Sequence, residues 1–490
     1  MVFSSLFFIF AFLVLCYGLY LFMPTVKARN ALLLVFSLAF YAWGGPPLVL
    51  LLCLEVLICF FGAHLIWAQN PSPMGNEGNP ALKKAYLVLT LVMCLGLLVI
   101  YKYMGLLSDT VADIFGKANP LPAVALPIGI SFYTFQLISY VIDVYRGETP
   151  PQRNYGKLVL YAALFHQCIA GPIVRYVDVA REIDRRTVCL DECWRGMLRF
   201  TVGLCKKAVL ANTSAVIADT LLNADKLAAG NVSSLGVFLG MTAYMLQIYL
   251  DFSAYSDMAI GMGLMLGFHF KENFNYPYAA DSVTDFWRRW HISLSSFFRD
   301  YVYIPLGGNR CSAGRHILNL LVVWALTGFW HGASWNFVLW GLYFACFLVL
   351  EKYVFRFAKQ GKGGVRHIRR LYTLAVVWFG WLLFRFDNMT IMGHALRALF
   401  GFGKGFNGDN AHFTLLNYLF FLLVAILACS PIVPFLAKKV TAAAEKKGSA
   451  GSLARGVANV AAAIVPVALL ILSVLALVGD SYNPFLYFRF

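Results

Sequence analysis

The chain has 490 residues, of which 60% are hydrophobic and only 13% are charged, and its net charge is +16. A soluble domain is nearer half apolar and a quarter charged, so this composition excludes a set of soluble domains and predicts an integral membrane protein. Because the basic residues fall mostly in connecting segments, they indicate the positive-inside bias and contact with anionic membrane lipids, and no nucleic-acid partner is expected.

Apolar runs of span length recur along the chain and predict an all-α, polytopic membrane protein. The first run, 2–23, has no basic residue ahead of it and is followed by Lys27 and Arg29, which indicates a retained span with the N-terminus outside. Further on, 105–122 has the apolar spacing of a helix that lies in the membrane interface. The other spans predicted before residue 271 lie at about 30–43, 46–67, 85–104, 126–145, 155–170, 200–222 and 233–268.

Two carboxylates interrupt the last of these runs. Asp251 and Asp257 lie inside 233–268, close to Ser253 and Ser256. Charged side chains at membrane depth are costly, so this pair indicates a water-filled cavity. A helix end that emerges into water is the alternative.

The segment 271–310 is the longest polar and aromatic stretch and contains its own helix-start signal. Ser282 precedes Asp285 by three residues, an arrangement similar to a capping box. Apolar side chains then recur at helical spacing, which predicts an amphipathic helix half embedded in the bundle or the bilayer. His291 and three arginines lie off this apolar stripe. The stripe comprises Trp287, Trp290, Leu294 and Phe297, and the arginines are Arg288, Arg289 and Arg299.

The run 317–350 is too long for one span of about 20 residues and predicts two helices that meet near His331. Gly328 and Gly332 flank this histidine, and glycines permit both a bend and a close approach of two backbones. An ionisable side chain at membrane depth indicates a functional site, and a structural histidine near the interface is the alternative. The tryptophans that surround it are Trp330, Trp335 and Trp340.

The C-terminal part of the chain adds further spans and an aromatic tail. A lysine-rich segment before the last span indicates that this span exits outward, so that both termini lie outside. The tail contains Tyr487, and its composition is also that of an interfacial aromatic belt. The total is about twelve spans in a single membrane domain, 1–490, and no metal site is predicted. The last spans lie at about 370–386, 413–433 and 456–478, and the final span and the tail together form 456–490.

Five motifs resemble those of the membrane-bound O-acyltransferase (MBOAT) family. They are long and unusual, they occur in the family's order, and the resemblance covers about residues 1–490. The chain is most similar to the bacterial branch that acetylates alginate. Other members of that branch acetylate peptidoglycan or cellulose, and another relative D-alanylates teichoic acid. The motifs lie at 126–136 (LPIGISFYTFQ), 169–175 (IAGPIVR), 286–295 (FWRRWHISLS), 299–308 (RDYVYIPLGG) and 327–332 (TGFWHG).

The resemblance implies the MBOAT fold, in which transmembrane and re-entrant or interfacial helices surround a central tunnel, in the bacterial inner (cytoplasmic) membrane. It implies an O-acetyltransferase whose donor, acetyl-CoA, enters from the cytoplasm and is not bound permanently. The acetyl group would pass through a protein-bound acyl step to an extracytoplasmic SGNH-hydrolase-like partner, and from that partner to a polysaccharide acceptor.

The resemblance also implies roles for single residues. His331 matches the family's buried histidine, His291 matches its second histidine or asparagine, and Tyr487 matches a tail tyrosine that carries the acyl group. A phenol, with a pKa near about 10, needs a base, and a neutral imidazole at His331 can take that proton. His291 would assist it or position the thioester carbonyl. The candidate ligands of the coenzyme phosphates are Arg288, Arg289 and Arg299.

Alternatives to this mechanism stay open. Eight extended residues reach roughly 25–29 Å, so a tail that bends back from residue 479 can bring Tyr487 to His331. In the alternative, the acetyl group passes directly to the partner's serine and the tail is a docking strap. The three arginines can equally be ordinary membrane-flanking charges. Three other functions are also possible alternatives. The chain could transfer D-alanine to teichoic acid, which would need a carrier protein as the donor. It could be a transporter, since glycine-broken helices are typical of that class, or a non-catalytic scaffold that only docks a partner.

Overall fold

The computed structural model describes residues 1–71, 78–117, 126–168, 171–357, 363–445 and 449–479. These residues form helices, turns and connecting segments, and no β-strand occurs among them. The all-α prediction is therefore confirmed for this part of the chain. Tyr487 and the rest of the tail lie outside the described residues, as do the first two residues of the motif at 169–175.

The first part of the chain forms a series of helices. Wider, π-type turns prolong three of them without a break, at Phe8–Leu13, Val99–Tyr103 and Lys206–Ala211. The helices are α1 (Val14–Phe22), α2 (Val26–Ala42), α3 (Pro46–Ala68), α4 (Pro80–Leu98), α5 (Met104–Ile114), α6 (Ile130–Arg146), α7 (Tyr155–Ala163), α8 (Phe165–Cys168), α9 (Tyr176–Asp184), α10 (Leu190–Cys205), α11 (Asn212–Leu221) and α12 (Ala224–Ala228).

The second part begins with a helix of 32 residues, α13, and contains the candidate site. Short turns of other helical types occur at Pro277–Ala279, Arg299–Tyr303 and Leu350–Val354. The helices are α13 (Ser234–Met265), α14 (Val283–Arg289), α15 (Ile292–Phe298), α16 (Ala313–His331), α17 (Trp335–Val349), α18 (Gly363–Arg385), α19 (Met389–Leu399), α20 (Ala411–Ala428), α21 (Ile432–Ala444) and α22 (Ser449–Gly479).

Six helical segments within the described ranges are long and apolar enough to cross a membrane. Because other predicted spans form shorter helices, the total of about twelve spans, the central tunnel and the single domain stay predictions. The predicted span 155–170, for example, is divided between α7 and α8 at Leu164. The six segments are Pro46–Ala68, Pro80–Ile114, Ser234–Met265, Trp335–Val354, Ala411–Ala428 and Arg455–Gly479.

No separate helix begins near residue 105, where the sequence predicts one. α4, the π-type turn Val99–Tyr103 and α5 form one continuous helical path, so the predicted boundary between a span and a separate interfacial helix is wrong. A single π-type turn adds one residue to a helix without ending it, which a periodicity of 3.6 residues does not reveal.

The alternative of a helix end at Asp251 and Asp257 is wrong, because α13 runs through both carboxylates. Asp251 Oδ1 lies 2.9 Å from Lys207 Nζ, and both side chains are buried. Asp257 pairs with Arg199 at 3.0 Å and with Lys206 at 2.7 Å. The basic residues of α10 and of the turn after it therefore compensate these charges, which removes the reason to infer a water-filled cavity here.

Buried apolar side chains form two clusters, and α13, α16 and the segment 283–301 contribute to both. The C-terminal half of α13 packs in the cluster that α1, α2, α3 and α6 share, while its N-terminal half packs with α17 and α18. The segment 283–301 divides in the same way: Trp287 and Trp290 lie in the second cluster, and Leu294 and Phe297 lie in the first. The residues between these pairs therefore lie at the junction of the two clusters.

Candidate functional site

The segment 271–310 does not form the single amphipathic helix that its periodicity predicts. It forms two short helices, α14 and α15, which are separated by Trp290 and His291. The start signal is confirmed, because Ser282 Oγ accepts a hydrogen bond from the backbone N–H of Asp285 at 2.9 Å. The predicted apolar stripe is buried, as expected. The break changes the direction of the chain after α14 and places His291 in the interior.

His291 adopts a left-handed backbone conformation, with φ 46° and ψ 56°, and is only 2% exposed. Asn273 holds this turn from the preceding loop. Its carbonyl accepts the N–H of Ile292 at 2.9 Å, and its side-chain Oδ1 accepts the N–H of Ser293 at 3.1 Å. Such a conformation is uncommon for a residue other than glycine and persists only when its surroundings fix it. His291 is therefore a buried side chain whose position its neighbours fix.

Asn273 also determines which imidazole nitrogen of His291 carries a proton. The Oδ1 atom of Asn273 lies 3.2 Å from His291 Nδ1 and, since it accepts the backbone N–H of Ser293, it is identified as an oxygen. Nδ1 must therefore donate to it. In the neutral ring this leaves Nε2 with the lone pair, which is the arrangement of a base oriented by a second residue.

His331 is the last residue of α16, at the break that the sequence predicts. α16 and α17 pack backbone against backbone on either side of this break. A Cβ atom on Gly328 would meet the carbonyl of Phe337, and one on Gly341 would meet the carbonyl of Trp324. Both glycines are thus needed for the close approach that determines where His331 lies.

Aromatic rings enclose the imidazole of His331, which is 7% exposed. The ring centroids of Trp330 and Trp340 each lie 5.0 Å from it, and that of Phe384 lies 5.2 Å away. Of the three tryptophans that the sequence groups around it, Trp335 instead is exposed on the surface. The aromatic walls limit the access of water to the imidazole and restrict its rotation.

The structure brings His331 and His291 to the same cavity. Trp330 lies between them, with its ring centroid 5.7 Å from that of His291 and 5.0 Å from that of His331. The cavity has a volume of about 1130 Å³ and is lined by both histidines. This volume is slightly above the range of about 300–1,000 Å³ for small-molecule and cofactor sites.

Basic side chains line the same cavity. Arg288 is exposed, and no acidic side chain among the described residues forms an ion pair with it. Arg289, which the sequence groups with it, does not line the cavity, because its Nε donates to Asp285 at 2.9 Å. The predicted set of three arginines is therefore divided. The cations in the lining are Arg288, Arg299, Lys352 and Arg356.

Arg299 lies at the more exposed part of the lining. Its Nε donates to Asp300 at 2.6 Å, and this hydrogen bond raises the pKa of the guanidinium above its usual range. Arg175 also donates to Asp300, at 2.7 Å. The shared carboxylate holds Arg299 in place and neutralises part of its charge, so Arg288 is the more available partner for an anion.

Glu351 connects the two halves of the cavity wall. Its carboxylate accepts the backbone N–H groups of Val283 at 2.5 Å and Thr284 at 2.9 Å, and the hydroxyl of Thr284 at 2.7 Å. A carboxylate at the first N–H groups of a helix also complements the helix dipole. Glu351 thereby fixes α14, which carries Arg288, to the helix that packs against α16.

Three residues of this site are not identified from the sequence. Asn273 lies in a polar loop, where an asparagine is typical of a turn, and no pattern marks it. Glu351 and Lys352 end the apolar run 317–350, and a carboxylate in such a place was a usable signal, because a buried charge needs partners. Tyr487 lies outside the described residues, so its predicted place near His331 stays a prediction.

Comparison with known proteins gives a family match over the central part of the chain. The model of the membrane-bound O-acyltransferase family, MBOAT, matches residues 154–394, a range that contains both histidines and the cavity cations. A probable alginate O-acetylase, AlgI, of Azotobacter vinelandii is 38% identical over 514 residues, and the alignment covers 100% of each chain.

Two more distant relatives act on cell-wall polymers, according to their names. A peptidoglycan O-acetyltransferase of Helicobacter pylori is 32% identical over 434 residues, which cover 82% of this chain and 80% of the relative. A teichoic acid D-alanyltransferase of Bacillus subtilis is 26% identical over 242 residues, which cover 46% of this chain and 60% of the relative.

Proposed function

The chain belongs to the membrane-bound O-acyltransferase family, and from this premise we propose that it transfers an acetyl group from cytoplasmic acetyl-CoA, through a protein-bound acyl step, towards an extracytoplasmic polysaccharide. That it is a multi-pass membrane acyltransferase follows from the family and the apolar helices. The donor, the acyl carrier, the SGNH-hydrolase-like partner and the bacterial inner membrane are parts of the proposal.

The observation that carries the proposal is the composition of one cavity. Its lining contains the buried histidines His291, His316 and His331, together with four cations. Histidines are suited to proton transfer from a hydroxyl, and cations are suited to the phosphates of a coenzyme. Because coenzyme A cannot cross a bilayer, only the acetyl group has to pass the site, and a hydroxyl on the far side can receive it.

In the proposed step, the acceptor oxygen attacks the carbonyl carbon of the acetyl thioester. His331 takes the proton of the attacking hydroxyl as the C–O bond forms. The C–S bond then breaks, and the same proton passes to the departing sulfur, so that free coenzyme A and an acetyl ester result. The enclosing rings of Trp340 and Phe384 exclude water, which would otherwise hydrolyse the thioester.

His291 acts beside His331 in this proposal. Since Asn273 fixes Nδ1 as a donor, Nε2 is the nitrogen that can exchange a proton with the reacting groups. Its position across the indole of Trp330 suits a second acid–base group or a partner of the thioester carbonyl. Because the hydrogen bond to Asn273 holds the imidazole in this tautomer, the ring does not have to rearrange before it exchanges a proton.

The comparisons support an acetyl donor more than a D-alanyl donor. The full-length similarity is to probable alginate O-acetylases, whereas the similarity to teichoic acid D-alanyltransferases covers 46% of the chain. The transporter alternative loses one of its supports, because Asp251 and Asp257 are compensated by basic residues. The acetylated polysaccharide is proposed to be of the alginate, peptidoglycan or cellulose type.

Arg288→Ala is expected to raise KM for acetyl-CoA about tenfold and to leave kcat nearly unchanged, because one charge-assisted contact to a phosphate is lost in both the ground and the transition state. The measurement is release of the free thiol by purified protein at varied acetyl-CoA. With S-acetyl-pantetheine, which lacks the nucleotide phosphates, the variant should match the unmodified protein.

Arg289→Ala is the matched control for that prediction. It also truncates an arginine to alanine, at the next position, but the Arg289 side chain does not line the cavity. Its KM should stay within about threefold of the original. Equal KM increases in the two variants, or an increase that persists with the truncated donor, would show that Arg288 does not bind the coenzyme.

The experiment that tests the proposed function is intact-mass spectrometry after incubation of purified protein with acetyl-CoA. The tail should gain one acetyl group on Tyr487, and Tyr487→Phe should gain none. If the thioester is consumed while the tail stays unmodified, the tyrosine carrier is excluded and direct transfer to the partner's serine takes its place.

Other outcomes exclude the enzyme that we propose. Absence of thioester turnover by folded protein, with the extracytoplasmic partner supplied, would exclude acetyl-CoA as the donor. Turnover only with an aminoacylated carrier protein would then indicate D-alanyl transfer. Polysaccharide acetylation that continues in cells with His331→Ala would indicate a scaffold.

A further inference from the structure

Lys102 is a buried lysine in an apolar helix and has no role in the reaction described above. It lies in the π-type turn Val99–Tyr103, within the candidate span Pro80–Ile114, and is 9% exposed. A lysine in such a place is costly and is retained only where it has partners. Wider helical turns of this kind often mark functional sites, because they turn a side chain that would otherwise face outward.

The partners of Lys102 belong to the helix that ends at His331. The Nζ atom of Lys102 donates to the backbone carbonyl of Trp330 at 2.5 Å and to Ser131 Oγ at 3.1 Å. The next residue in the same turn, Tyr103, donates its hydroxyl to the carbonyl of Phe329 at 2.6 Å. Among the described residues, no carboxylate forms an ion pair with Lys102.

These contacts satisfy a general need of helix ends. The last carbonyls of a helix have no N–H partner within the helix, and the helix dipole places partial negative charge there. A cation at this end is therefore favourable. The last turn of α16 carries Phe329, Trp330 and His331 in succession, so the turn that holds Lys102 and Tyr103 fastens the backbone immediately before the imidazole.

Trp330 extends this connection to the second histidine. Its indole packs against His291 and His331, and its Nε1 donates to the carbonyl of Ser131 at 3.4 Å. Lys102 Nζ also lies 5.9 Å from the indole centroid. A shift of the Trp330 backbone would therefore move the wall that both histidines share.

From this arrangement we infer that Lys102 is a positioning residue for the two histidines: its ammonium group holds the carbonyl of Trp330 and thereby fixes the end of α16 at the transfer site. Lys102 does not line the cavity and touches no reacting atom. The expected effect on kcat rests on the proposed function, whereas the positioning of the end of α16 rests on the contacts of Lys102 alone.

Lys102→Met, which keeps the length of the side chain and removes its donors, is expected to lower kcat for acetyl-thioester turnover about tenfold, because small misplacements of catalytic groups are costly. KM for acetyl-CoA should stay within about threefold, since the cavity cations lie on other elements. Ser131→Ala is the control: it removes the second acceptor and leaves the bond to Trp330, so kcat should stay within about threefold.

A second measurement does not depend on turnover. Carbethoxylation of His331 by diethyl pyrocarbonate, followed by peptide mass spectrometry, reports how firmly the buried imidazole is held. In folded Lys102→Met its rate should rise at least about threefold relative to exposed His367. If Lys102→Met does not fold, Lys102→Gln, which keeps one shorter neutral donor, should change both quantities in the same direction.

The two measurements separate the possible failures. Absence of thioester turnover in the unmodified protein, together with faster modification of His331 in the variant, would overturn the proposed function and support the positioning role. Unchanged kcat and an unchanged modification rate in a folded variant would overturn the positioning role, and so would a loss expressed wholly in KM.

Discussion

His331→Ala is expected to lower acetyl-thioester turnover by about 10²–10⁴-fold, which is the range that general acid–base catalysis contributes. The reason is that the attacking hydroxyl keeps its proton without a base, so the C–O bond forms to a poor nucleophile. This range corresponds to about 3–5 kcal/mol of transition-state stabilisation. The loss should appear in kcat, because in the proposed mechanism the cavity cations, which lie on other elements, bind the donor.

The measurement is a steady-state assay of thiol release by the purified variant. His367→Ala provides a matched control, because His367 is exposed on α18 and the same truncation there should leave kcat within about threefold. Removal of the imidazole also leaves space among Trp330, Trp340 and Phe384, so the melting temperature has to be measured beside the rate. A folded His331→Ala protein with more than a tenth of the original kcat would contradict the assignment of His331 as the base.

Asn273→Leu is expected to lower kcat about 10–100-fold, the range typical of residues that orient a functional histidine through its second nitrogen. Leucine has similar volume and no acceptor, so Nδ1 of His291 loses the oxygen to which it donates at 3.2 Å. The ring can then adopt the other tautomer, in which Nε2 carries the proton and cannot accept one. The N–H of Ser293 loses the same acceptor.

Two comparisons show whether Asn273 acts through His291. Ser256→Ala removes the hydroxyl to which the Asn273 amide donates at 3.1 Å and leaves the Oδ1 contacts intact, so kcat should change little. In the double variant of Asn273→Leu and His291→Ala, the loss should equal that of His291→Ala alone. Fully additive losses would mean that Asn273 contributes to folding or to another group.

Much of the fold could be predicted from the sequence because local signals reported it. The apolar runs at about 30–43 and 46–67 predict the pair α2 and α3, and the structure has both. The length of the run 317–350 predicts two helices, and they meet at His331 as expected. In each case the signal lies within about one helix length, where periodicity and turn residues act directly.

Two expectations failed because of contacts between distant segments. Asp251 and Asp257 interrupt an apolar pattern, yet α13 continues because Lys207, Arg199 and Lys206 compensate them from another helix. The apolar stripe of 271–310 predicts one helix, but Asn273 holds His291 in a left-handed conformation that ends it. A periodicity cannot include a partner that the chain brings from elsewhere.

By itself, the sequence determined that this is an α-helical membrane protein of the MBOAT family, and it singled out His291 and His331 as candidate site residues, because composition, periodicity and local motifs are properties of neighbouring residues. Only the tertiary structure decided that the two histidines share one cavity, that Arg288 lines it while Arg289 pairs with Asp285, and that Lys102 reaches the end of α16. The two histidines, and Lys102 and the end of α16, belong to segments far apart in the chain, and only the packing of the helices brings them together.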